Sequence, residues 1–88
     1  MVSKIVRYQN PLGLQVKQAG DLTKIAMEYK SVIQFSYDGG IANAKSVLSV
    51  LGAGIRYGDE MNIICEGEDE EEALRNLVDF VQNNGSGN

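Results

Sequence analysis

Chemistry has few places to sit in this chain. The side chains able to carry or receive a reacting group are Gln15 with Lys17 two residues on, the hydroxyl of Ser46 behind Lys45, and the thiol of Cys65. To these the sequence adds six acids within seven residues: Glu66, Glu68, Asp69, Glu70, Glu71 and Glu72. Histidine is absent. The chain therefore lacks the side chain best suited to moving protons near neutral pH, which is also the commonest neutral metal ligand. Histidine-based chemistry is excluded.

Each of these groups has a plain structural reading beside its chemical one. Ser46 stands directly before a short apolar run, where a hydroxyl caps the start of a helix. The same hydroxyl can accept a phosphoryl group, whose charge meets the helix dipole favourably, and Lys45 adds positive charge nearby. Gln15 heads a predicted helix, so the N–H groups of residues 16–18 together with Lys17 can hold an anion; the alternative is a neutral residue with no ligand. Cys65 falls on the inward face of a predicted strand with no imidazole to lower its pKa, and reads as core. The acidic run lacks the Asp-x-Asp-x-Asp-Gly spacing of a calcium loop and reads as the start of a helix, where carboxylates meet the positive end of the dipole. No metal and no cofactor is assigned.

The elements that must position these groups follow from hydrophobic periodicity. Val2 to Tyr8 reads as a strand with Val2, Lys4, Val6 and Tyr8 on one face and Ile5 on the other. Asn10-Pro11-Leu12-Gly13 breaks it, and from about Val16 the residues Ala19, Leu22, Ile25, Ala26 and Tyr29 fall within an arc of about 120° at helical spacing. Val32 to Tyr37 alternates, Asp38-Gly39-Gly40 supplies a turn, and Ile41 to Ala44 returns as a hairpin. Ser46 then opens one or two helical turns through Val47, Leu48, Val50 and Leu51, closed by Gly52 and Gly54. A turn at residues 56–59 leads to a strand over Glu60 to Cys65, with Met61, Ile63 and Cys65 inward. A last helix carries Ala73, Leu74, Leu77, Val78, Phe80 and Val81 on one side, and Asp69 with Glu72 three residues later resembles a capping box at its start.

The resulting order, β-α-β-β-α-β-α, predicts an α+β open-faced β-sandwich: a four-stranded antiparallel sheet with three helices on one face. One domain is expected over residues 1–82, followed by a flexible C-terminal tail over residues 83–88. Length and composition agree. Eighty-eight residues, 43% hydrophobic and 23% charged, suit one small core and exclude collagen-like or wholly disordered classes. Net charge is −4, yet outside the six clustered acids the chain is positive by two. No basic stripe with interleaved aromatics appears, which argues for protein partners or small anions rather than nucleic acid. A single cysteine, no apolar run near the roughly 20 residues of a membrane helix and no basic-then-apolar leader together predict a cytosolic protein.

Three stretches resemble, in sequence and position, the signatures of one family. They are Leu12-Gly13-Leu14-Gln15-Val16-Lys17-Gln18-Ala19, Asn43-Ala44-Lys45-Ser46, and Glu66-Gly67-Glu68-Asp69 with Glu71-Glu72-Ala73-Leu74. The family is HPr, the small phosphocarrier of the bacterial phosphoenolpyruvate-dependent sugar phosphotransferase system. The resemblance implies a histidine in a Gly-Leu-His-Ala-Arg-Pro-Ala segment that takes a phosphoryl group from enzyme I and passes it to a sugar-specific IIA component. Here Gln15 stands at the histidine position, Val16 at the alanine, Lys17 at the arginine and Gln18 at the proline. An amide nitrogen has its lone pair delocalised into the carbonyl and is a poor nucleophile. Lysine offers a point charge where arginine offers a planar, bidentate phosphate clamp.

Gln15 together with Ser46 is similar to the Crh-like variants of the family, in which glutamine replaces the histidine and the serine is kept. That resemblance implies a non-enzymatic regulatory binding module of catabolite repression, phosphorylated on Ser46. Its implied partners are HPr kinase/phosphorylase and a CcpA-type transcriptional regulator, with no direct nucleic-acid or membrane contact. Val47, Leu48 and Leu51, with Gln15 and Lys17, are the implied docking surface, although a short helix must also turn part of its apolar surface inward. Two other classes remain open: a phosphotransferase-system component carrying phosphate through a residue other than histidine, and an anion- or protein-binding domain with a new partner and no phosphorylation.

Overall fold

A computed structural model describes residues 1–84. Its elements run β1 (Val2–Arg7), α1 (Val16–Ala26), β2 (Val32–Tyr37), β3 (Gly40–Asn43), α2 (Val47–Gly52), β4 (Glu60–Glu66) and α3 (Glu70–Asp79), and α3 continues as a π-helical turn over Phe80–Asn84. The strands form one antiparallel sheet in the order β1-β4-β2-β3. The last strand of the sequence thus lies inside the sheet, between the first and the second. With the helices packed on one side of that sheet, the architecture is the expected open α+β sandwich.

Alternation explains which side is covered. Register pairs Val6 with Met61, Phe35 with Ile63, Ile33 with Cys65 and Phe35 with Ala42, and all of these side chains are buried. Their neighbours Ile5, Val32 and Ile41 point to the wet face and are exposed. The helices close the core with Ala19, Leu22 and Ala26 from α1, Val50 from α2, and Ala73, Leu77 and Val78 from α3. A Val, Leu, Ile, Phe or Met side chain contributes about 1.5–3 kcal/mol when fully buried, which makes this shared interior the main support of the elements that carry the polar groups.

The boundaries moved at several elements: β1 ends at Arg7 rather than Tyr8, α1 ends at Ala26 short of Tyr29, and β4 runs on to Glu66. β3 begins at Gly40 and ends at Asn43, one residue earlier than expected, because the two-residue turn Asp38-Gly39 sets Tyr37 opposite Gly40. Ala44 still donates its N–H to the Ile33 carbonyl at 3.0 Å. The helical turn after α3 takes in Asn83 and Asn84, which the sequence suggested as the start of the tail; the Asn83 amide donates to the Asp79 carboxylate at 2.6 Å. The rest of that tail, residues 85–88, lies outside the described residues. No helix among the described residues is long and apolar enough to cross a membrane.

Candidate functional site

The start of α1 is positioned by its preceding loop. Asn10 organises this loop: its side-chain oxygen accepts from the Leu12 N–H at 2.9 Å and its carbonyl accepts from the Gly13 N–H at 2.9 Å. Gly13 adopts φ +80°, and a Cβ there would come within 3.2 Å of the Ile55 carbonyl oxygen, so the loop lies close against the segment after α2. Leu14 donates its N–H to that same carbonyl at 3.0 Å and buries its side chain. This anchoring leaves Gln15 exposed as the N-cap of α1, and its side chain makes no capping hydrogen bond. Val16 is exposed and Gln18 is buried. Lys17 is drawn along the helix to Asp21, four residues on, at 2.9 Å. The depression around Gln15 has a volume of about 410 Å³ and is lined by residues 11–15 and 54–57, a set that includes Arg56 and Tyr57 and neither Lys17 nor Ser46. Arg56, which its sequence context marked only as part of a turn, thus lines the same depression as Gln15.

The start of α2 is built differently. Ser46 is its N-cap, half-buried, with extended backbone (φ −121°, ψ 115°), and its hydroxyl oxygen accepts from the Ser49 N–H at 3.2 Å. The cap reading of Ser46 holds in this geometry. Asn43 supports the turn before it: the Asn43 side-chain oxygen accepts from the Lys45 N–H at 2.9 Å, and its carbonyl accepts from the Ser46 N–H at 3.1 Å. The Lys45 ammonium does not stand free beside Ser46; it donates to the Tyr29 carbonyl beyond the end of α1 at 2.7 Å. Of the apolar run, Leu48 is 82% exposed, Val47 lies at the margin at 36%, Leu51 is half-buried against the core, and Val50 is the residue turned fully inward. The packing of α1 against α2 sets these two helix starts on one assembly of helices.

The acidic run proves to be the start of α3, but not through the expected box. Asp69 is the N-cap and makes no side-chain capping bond, so the Asp69–Glu72 capping box does not form. Its carboxylate instead reaches across to the beginning of β2 and accepts from the Lys30 N–H (2.8 Å), the Ser31 N–H (3.0 Å) and the Ser31 hydroxyl. The Ser31 hydroxyl first, and then the Lys30 N–H, hold the Asp69 carboxyl below its ordinary pKa. Glu70 accepts from the Gly67 N–H at 3.0 Å and from the terminal amine at 3.1 Å, and those bonds lower its pKa in the same way. No cluster of three acids or thiols placed to hold a metal occurs among the described residues. Cys65 is buried, and desolvation, followed by the Glu70 and Asp69 charges, pushes its thiol up to about 11. Such a thiol is protonated at neutral pH and is not a nucleophile.

Two features of these helix starts were not singled out from sequence. Arg56 lines the depression at Gln15 because the fold brings the segment after α2 against the loop before α1. Ser49 lies three residues into α2, where its N–H meets the cap, and its hydroxyl accepts from the Asn43 N–H at 2.9 Å. A serine at the third helical position after a serine cap is a local signal that could have drawn attention to it.

Comparison with known proteins gives this geometry a lineage. The family model described as PTS HPr component phosphorylation site matches residues 2–83. The HPr-like protein Crh of Bacillus subtilis is 34% identical over 82 residues, covering 93% of this chain and 96% of that protein. Among solved structures, HPr-C-His from Thermoanaerobacter tengcongensis superposes with a TM-score of 0.92 at 30% identity, over 100% of this chain and 98% of that one. A phosphocarrier protein HPr from Bacillus anthracis gives a TM-score of 0.88 at 34% identity, over 92% and 96% of the two chains. The match spans the loop before α1, the start of α2 and the start of α3 alike, and the chain belongs to the HPr family, on its Crh-like side.

Proposed function

We propose that this chain is a regulatory binding module of the sugar phosphotransferase system, switched by phosphorylation of Ser46 and recognised through Val47, Leu48 and Leu51. The observation that carries this reading is the pairing of an exposed, uncapped amide at Gln15 with a formed serine cap at Ser46 beside the exposed Leu48. An amide cannot accept and pass on a phosphoryl group, whereas the Ser46 hydroxyl, with one lone pair engaged by the Ser49 N–H, keeps a lone pair and a proton for ester formation. Phosphate there adds roughly −1.5 to −2 charges at the favourable end of α2. Recognition of that charge together with Leu48 turns a sugar-dependent kinase signal into binding of a CcpA-type regulator, in the cytosol and without catalysis by this chain.

The test is incubation with ATP and HPr kinase/phosphorylase, followed by mass spectrometry of the intact protein. One phosphate, lost in Ser46→Ala, is the expected result; no incorporation removes the switch. A parallel incubation with phosphoenolpyruvate and enzyme I is expected to leave the chain unlabelled, and label on it would restore a carrier role through another residue. A second reading, a binding module with a new partner and no phosphorylation, draws support from Arg56, which lines the depression at Gln15 and forms no ion pair among the described residues. It becomes the better account when the kinase test gives nothing and Arg56→Ala still weakens capture of a partner.

A further inference from the structure

Three hydrogen bonds at the start of α2 close into a ring. The Asn43 N–H donates to the Ser49 hydroxyl oxygen at 2.9 Å, the Ser49 N–H donates to the Ser46 hydroxyl oxygen at 3.2 Å, and the Ser46 N–H donates to the Asn43 carbonyl at 3.1 Å. The Asn43 side chain braces the ring from within, accepting from the Lys45 N–H at 2.9 Å. All three links use backbone N–H groups that a helix start and a strand end would otherwise leave to water. The third residue, Ser49, has its N–H on the cap and its hydroxyl on the strand, which ties α2 to the end of β3.

We infer that Ser49, with Asn43, is a positioning residue for modification of Ser46: the ring fixes the attitude of the Ser46 hydroxyl before a kinase meets it. This rests on the reading of Ser46 as the switch. In the transfer, the Ser46 Oγ forms a bond to the γ-phosphorus of ATP and the bond from that phosphorus to its bridging oxygen breaks. ADP leaves with the electron pair, and the hydroxyl proton passes to a base on the kinase. In-line attack needs the oxygen held in one direction, and the ring holds it by occupying one lone pair from a fixed N–H while leaving the outward lone pair for attack. Ser49 touches neither nucleotide nor phosphorus; it acts through the segment that carries Ser46.

The experiment compares the full chain with Ser49→Ala and Ser49→Thr as substrates for HPr kinase/phosphorylase and ATP, with kcat and KM measured separately. Alanine removes the acceptor for the Asn43 N–H and opens the ring, whereas threonine keeps the oxygen. The expected result is a drop in kcat of about tenfold or more for Ser49→Ala, since small misplacement of a reacting atom costs up to about 10²-fold. KM should change little, and Ser49→Thr should be restored to near the native value. Leu48→Ala, which trims the docking surface, should show the opposite split, raised KM with kcat kept. The pair Asn43→Ala and Asn43→Asp tests the brace instead, since the ring bonds at Asn43 are backbone: alanine removes the oxygen that receives the Lys45 N–H and aspartate keeps it. Native kcat in both alanine variants overturns the positioning role and leaves the switch standing. A native chain that takes no phosphate overturns the switch and this inference with it.

Discussion

The starts of α1 and α2 are built to opposite specifications. At α1 the N-cap side chain, Gln15, is exposed and makes no capping bond, the nearby lysine is spent on Asp21, and the loop is held by Gly13 and Leu14 against Ile55 rather than by anything at position 15. At α2 the N-cap side chain, Ser46, closes a ring with Ser49 and Asn43. An oxygen aimed at the orphan N–H groups of a helix start fixes both the helix and itself, while a side chain left outside that bonding is free to change without cost to the fold. The difference teaches which helix start is fixed by its own cap and which is held by the loop before it. The start of α3 supplies a third case, in which the acid at the cap is committed to another element altogether.

The largest expected effect lies at that third start. Gly67 has φ +154°, and a Cβ there would sit 2.6 Å from the Ser31 hydroxyl oxygen and 2.7 Å from the Ser31 Cα. Backbone strain and crowding cost roughly 1–3 kcal/mol each, so Gly67→Ala should destabilise the fold by about 2–4 kcal/mol in urea unfolding. A loss under about 1 kcal/mol would mean that the contact between the starts of α3 and β2 yields easily, and the contrast among helix starts would shrink to capping alone. Acid should reach the same place. Asp69 and Glu70 have folded pKa values below their unfolded ones, so their contribution is complete above about pH 5 and is lost as pH falls through the lower folded values. The first turns of α1 and α2 hold no acid. Amide exchange followed down from pH 5 should therefore show Lys30, Ser31 and the first turn of α3 opening ahead of the Ser46 segment, and Asp69→Asn should flatten that dependence.

What could be read from sequence divides along the same line. β2 was legible to the residue, and the Ser46 cap was legible because its partner, the Ser49 N–H, lies three positions away on the chain. The Asp69–Glu72 box had the same local form and failed, because Lys30 and Ser31, nearly forty residues earlier, bind that carboxylate instead. Periodicity reports which face of an element is apolar, but not which distant backbone group will claim a surface acid. Arg56 at Gln15 was hidden for the same reason: its place depends on the Leu14 N–H meeting the Ile55 carbonyl. The inward turn of Val50, rather than Val47, Leu48 or Leu51, was set by how α2 lies on β3 and α1, which a six-residue helix does not announce.

A direct contest between the two helix starts comes next in size. Ser46→Ala removes the acceptor for the Ser49 N–H and should cost about 1 kcal/mol, the usual value of a serine cap. Gln15→Ala removes an exposed side chain that caps nothing and should stay within about 0.5 kcal/mol of the parent. Equal losses, measured as urea midpoints with unchanged slopes, would erase the distinction drawn here.

The smallest effect should appear as a gain. Gly20 lies inside α1, half-exposed, and a Cβ at that position would meet nothing within 4 Å. Glycine in a helix interior is less favourable than alanine by about 0.5–1 kcal/mol, largely through the freedom it adds to the unfolded chain. A helix with no side-chain cap at its start and a glycine in its middle is held by Ala19, Leu22 and Ala26 on its buried face, so added propensity should register in full. Gly20→Ala should therefore raise the urea midpoint modestly. A loss of stability would show that the backbone at Gly20 needs a freedom its open surroundings do not reveal, and α1 would then be constrained along its length rather than merely unassisted at its start.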